Sequence, residues 1–93
     1  MSIQNVGVGR ACLGYSRLTS LGSVSTCPFA RGKVVEFQPE SQSIRYTLDG
    51  STPTSTVGFL VTAGTTVCYE GDLSLVRFIE IGASATLNVH VFG

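Results

Sequence analysis

The sequence holds no tryptophan, one histidine and few charges. Six basic and six acidic residues make 13% of the chain and cancel, against about 25% charged residues in a typical domain. A chain without net positive charge lacks the field that displaces counterions from phosphates, so nucleic acid is not an expected partner. No apolar run approaches the ~20 residues of a membrane-spanning helix. The first residues, Met1-Ser2-Ile3-Gln4-Asn5, lack the charged and then apolar regions of a signal peptide. The three cysteines, Cys12, Cys27 and Cys68, are odd in number and widely spaced, so no disulfide framework follows. They read as small buried hydrophobes made in a reducing cytoplasm.

Catalytic and metal-binding sets are equally scarce. His90 has no Cys-x-x-Cys partner for a zinc site of the usual kind. Nothing in the spacing joins a cysteine to His90 as nucleophile and base. The carboxylate pairs Glu36 with Glu40 and Glu70 with Asp72 fall near turns or strand ends and read as solvated charge. The chain is therefore expected to be no enzyme and to carry no cofactor.

What the sequence does have is small polar residues and short alternations. The 93 residues include 11 glycines, and a chain of this length suits one domain that buries roughly 60–65% of its unfolded surface. Marginal stability and low charge favour a surface partly covered by partners, such as a homo-oligomer. No segment shows helical spacing. Strands are expected at Tyr15–Leu21, Lys33–Pro39, Ser43–Asp49, and at Gly58–Gly64 and Thr66–Gly71 joined hairpin-fashion through Ala63-Gly64-Thr65. In the last run Ala85, Leu87, Val89 and Val91 alternate with Ser84, Thr86, Asn88 and His90, the mark of a half-buried strand. Leu73–Ile81 carries apolar residues on both faces, which predicts a strand covered on both sides, either inside the domain or by another subunit. Arg77 interrupts one of those faces, so it needs an anion, a carbonyl cluster or a wet edge. Pairing with Asp49, Asp72 or Glu80 and a salt bridge across a subunit interface both answer that need. Ile79 and Ile81 flank it as interface candidates. Residues 1–11 read as an extended arm, either frayed or docked on a neighbour through Ile3, Val6 and Val8.

Thr47–Gly58, "TLDGSTPTSTVG", reads as a corner of the scaffold. Asp49 can accept from an N–H two residues on, and Gly50 can take positive φ. Pro53 cannot donate to a ladder, so the loop runs past a two-residue turn. Hydroxyls such as that of Thr54 can satisfy its backbone, and Gly58 turns the chain into the next strand. One carboxylate is too few for calcium.

These readings converge on an all-β fold: a small antiparallel β-sandwich over residues 12–93, with a jelly roll as one arrangement.

The C-terminal half also resembles a family of small proteins encoded among tailed-phage and prophage structural genes. The resemblance rests on Arg45-Tyr46, Asp49-Gly50, Pro53-Thr54, Val57-Gly58 and Ala63-Gly64, then on Gly71-Asp72-Leu73, Arg77-Phe78-Ile79 and Ala85-Thr86-Leu87-Asn88-Val89. It implies a virion structural protein, foremost a head decoration (cement) protein. Such a protein is made in the bacterial host cytoplasm and sits on the capsid exterior as a trimer or dimer against the major capsid protein. A tail, fibre or vertex component is the alternative. A shorter stretch, "YTLDGSTPT", is similar to a turn in immunoglobulin-like modules attached to some glycoside hydrolases, and implies an accessory carbohydrate-binding module.

Overall fold

The computed structural model describes residues 10–93; the arm candidates Ile3, Val6 and Val8 lie outside the described residues. Eight strands follow one another: β1 (Cys12–Leu18), β2 (Ser25–Thr26), β3 (Val34–Glu40), β4 (Ile44–Thr47), β5 (Phe59–Val61), β6 (Val67–Glu70), β7 (Arg77–Glu80) and β8 (Thr86–Phe92). They form two four-stranded sheets, ordered β1-β8-β3-β6 and β2-β7-β4-β5, and every pairing is antiparallel. This is an all-β sandwich with the strand order of a jelly roll. The chain changes sheet at each connection except the one between β4 and β5.

Alternation explains the core. On β8, Ala85 just before the strand and then Leu87, Val89 and Val91 point inward and are fully buried. Val35 and Phe37 of β3 meet them from the neighbouring strand. The second sheet answers with Ile44, Val61, Val76 and Phe78. The Phe37 ring sits edge-on to Phe78 at 5.0 Å and to Tyr46 at 5.2 Å, a favoured aromatic geometry. Pro39 fits in β3 because β6 pairs only as far as Phe37. Beyond it the Gly64 N–H from the crossing loop reaches the Pro39 carbonyl, on the side where no ladder donor is needed.

Four details differ from the sequence reading. The first strand starts at Cys12 rather than Tyr15, because β1 pairs along the whole of β8 with a register shift between Cys12 and Gly14. β5 and β6 are not a hairpin: Val61 pairs with Ile44 in one sheet and Val67 with Phe37 in the other. Leu73–Ile81 is not one strand. Its first turn, Leu73–Leu75, is 3-10, started by Asp72, whose carboxylate accepts from the Ser74 N–H. Within this chain the remainder is covered on one side: Val76 and Phe78 are buried, while Ile79 is half-buried and Ile81 exposed. Finally β2, two residues long, is too short to show any period.

Candidate functional site

Three surfaces bring chemistry-bearing residues together. The first is the β4–β5 connection. Asp49 accepts from the Ser51 N–H at 3.0 Å, and Thr47 donates its hydroxyl to the Ser51 carbonyl at 2.6 Å. Gly50 has φ +84° and gives its N–H to the Leu75 carbonyl. Thr54 Oγ1 accepts from the N–H groups of Thr56 and Val57. Pro53 is buried, and Gly58 has φ +122°, a conformation strained for any other residue. From β4 the Arg45 guanidinium donates to the carbonyls of Ser55 and Gly58 at 3.1 and 2.9 Å. The hydroxyl and amide groups of the loop thus largely serve its own shape.

The second surface starts where this loop ends. Val57, Phe59 and Leu60 are 57%, 72% and 54% exposed. The Phe59 ring lies 5.7 Å from that of Tyr46. Between loop and strand is a hollow of about 470 Å³ lined by Tyr46, Leu48, Asp49, Ser51, Val57 and Phe59. Register puts the strand residues on opposite faces: Phe59 pairs with Tyr46 and Tyr46 with Phe78, the core side, whereas Leu60 belongs to the outer face of the second sheet. Leu60 pairs with Arg45, and Arg45 with Ile79. Arg77 stands two residues before Ile79 and pairs with Thr47, while Ile81, just past β7, gives its N–H to the Ser43 carbonyl. The structure therefore places Arg77, Ile79 and Ile81 on one face. Among the described residues Arg77 makes no ion pair with Asp49, Asp72 or Glu80. Its guanidinium donates instead to the carbonyls of Ser74 (2.7 Å) and Val76 (3.1 Å).

Sequence reasoning missed Val57, Phe59 and Leu60. For Leu60 the signal was there, since consecutive residues of a strand point to opposite faces; Phe59 shares the face of buried Val61 and is exposed at the sheet edge, which no local pattern shows.

The third surface is the outer face of the first sheet. Tyr15, His90, Glu36 and Cys68 form one transverse row across all four strands. Arg17, Asn88 and Gln38 form the next. The Tyr15 hydroxyl donates to Asn88 Oδ1 at 2.6 Å, and Asn88 Nδ2 donates to Glu40 at 2.9 Å. Gln38 Nε2 donates to Thr66 Oγ1 at 3.3 Å. His90 Nδ1 lies 3.5 Å from Glu36. These side chains line a groove of about 250 Å³.

Of the three cysteines expected to be buried only Cys27 is; Cys12 and Cys68 are exposed. Burial pushes Cys27 up to about 11, and burial followed by the neighbouring Glu36 charge pushes Cys68 up. Thiols shifted this way stay protonated near neutral pH and are poor nucleophiles. Among the described residues no three His, Cys, Asp or Glu side chains cluster as a metal site. No protein-family model, curated protein or solved structure matches the chain.

Proposed function

We propose that this chain is a structural virion protein of a tailed bacteriophage, made in the host cytoplasm, which decorates and stabilises the outside of the capsid without catalysing a reaction. The observation that carries the reading is the exposure of Val57, Phe59 and Leu60 as an apolar rim at the β5 edge, where Leu60 shares the outer face with Arg77, Ile79 and Ile81. Monomers seldom leave neighbouring large apolar side chains this exposed unless something covers them. The rim sits on a short edge strand, β5, whose second edge has no partner strand among the described residues. That placement suits contact with the major capsid protein or a second copy of this chain. The resemblance of the C-terminal half to phage structural proteins selects the particle as the setting. The jelly-roll order recurs in capsid domains, which supports the reading by analogy of fold alone. Weak contacts repeated by shell symmetry, or joined by trimer or dimer formation, add up to firm attachment.

Copy number tests the proposal. Mass spectrometry of purified particles is expected to find this chain and the major capsid protein in a ratio near one, or a simple fraction of it. A few to some tens of copies would assign the chain to the tail, fibre or a vertex instead. Particles without the chain would overturn the virion reading.

A further inference from the structure

The groove on the first sheet lies on the opposite face of the sandwich from Leu60 and Ile79, and attachment through the second sheet leaves it without a task. We infer that this groove is a binding site for a neutral glycan, with Tyr15 as the stacking platform and Asn88, Gln38 and Glu36 as the hydroxyl-recognising groups.

Two rings, those of Tyr15 and His90, line the groove. Tyr15 is 53% exposed, and its ring centre lies 5.2 Å from that of His90, which in turn lies 6.2 Å from Phe92. An exposed ring with a polar tip takes the C–H face of a sugar and leaves its hydroxyls free to bond. The planar polar side chains of Asn88, Gln38 and Glu36 line it as well. Asn88 is held at both ends, accepting from Tyr15 and donating to Glu40. Its amide has two hydrogens and two lone pairs, and these bonds use one of each. One donor and one acceptor thus remain in a fixed direction, as a vicinal diol requires. Gln38 is held against Thr66 and the Gly64 carbonyl, and Glu36 offers carboxylate oxygens. Orientation fixed before binding spares a ligand the entropy of ordering the site.

Charge decides the class. Glu36 and Glu40 belong to this face, and the cation within reach, Arg17, already lies 3.8 Å from Glu40. A phosphate- or sulfate-bearing chain would meet no free arginine or lysine on this face among the described residues. A neutral saccharide meets donors and acceptors in balance, and a groove of about 250 Å³ admits a sugar ring.

The test is a titration of the isotope-labelled full chain with maltoheptaose, cellohexaose and xylohexaose, read by amide chemical shifts. At least one is expected to give saturable shifts centred on Tyr15, Gln38, Asn88 and His90, with a Kd of about 1 mM or tighter. Tyr15→Ala and Asn88→Ala are each expected to weaken binding about tenfold or more. Tyr15→Phe keeps the ring and weakens it less, and Ile81→Ala on the far sheet leaves it unchanged. Should Tyr15→Ala fail to fold, the Tyr15→Phe and Gln38→Ala pair carries the same comparison. No saturable shift with any of the three sugars would overturn the inference. So would shifts centred elsewhere, or tighter binding of heparin or single-stranded DNA in the groove. Particle counting tests the capsid reading and this titration tests the groove, so either can fail without the other.

Discussion

Phe37 of one sheet and Phe78 of the other meet edge to face with their ring centres 5.0 Å apart. Both are fully buried, and their contact joins the two sheets at the middle of the core. Phe78→Ala is expected to cost about 3–5 kcal/mol through lost burial and the cavity left behind. A small domain has about 5 kcal/mol or a little more to lose. Urea denaturation should therefore show a variant close to unfolding in buffer, and a loss under about 1 kcal/mol would show that the sheets hold without this pair.

The apolar rim should behave as a contact surface. Phe59→Lys with Leu60→Lys is expected to change the stability of the isolated chain by less than about 1 kcal/mol, because both side chains already face water. Attachment to particles lacking the chain, measured by co-sedimentation, should fall at least about tenfold. Equal attachment by the variant and the native chain would move the contact elsewhere.

Arg77 tests the adjoining face. Removing its guanidinium frees two backbone carbonyls at a partly exposed site, where water can replace the lost donor. Arg77→Ala is expected to lower stability by about 1 kcal/mol or less and to weaken oligomer or capsid binding by a larger factor. Thermal melts and sedimentation on the same preparation compare the two losses, and equal losses would make Arg77 a residue of the fold alone.

Acid should loosen two turns. The Ser51 hydroxyl and then its N–H hold the Asp49 carboxyl below its usual 3.8, and the Ser74 hydroxyl and N–H do the same for Asp72. A carboxyl that ionises more readily in the folded chain stabilises it above the ordinary carboxylate range. That contribution is lost as the pH falls through the lowered folded value. The melting temperature is expected to drop between about pH 5 and pH 2, and to drop less for the Asp49→Asn/Asp72→Asn variant. An equal drop in both proteins would assign the acid response to other groups.

Thiol accessibility checks the packing of the core. Cys12 and Cys68 are exposed and Cys27 is buried, with its thiol pushed up to about 11. At about pH 8 a disulfide reagent should titrate Cys12 and Cys68 in the native chain and reach Cys27 only in denaturant. Reaction of Cys27 at the rate of the others would mean that the core opens locally.

The sequence determined the class of fold and the chemistry of its turns, because both are local. The alternation of Ala85, Leu87, Val89 and Val91 marked the inward face of β8, and all four are buried. Asp49-Gly50 specified an acceptor followed by positive φ, and the loop uses both. Partner choice was decided by the tertiary structure. Ala63-Gly64-Thr65 has the local chemistry of a hairpin, yet packing sends β5 and β6 to opposite sheets. The first three residues of Leu73–Ile81 became a 3-10 turn because Asp72 could cap it. The row Tyr15–His90–Glu36–Cys68 draws one residue from each of four strands. No spacing along the chain encodes that row; it exists because the antiparallel register of β1, β8, β3 and β6 is set by burying the opposite face of the sheet.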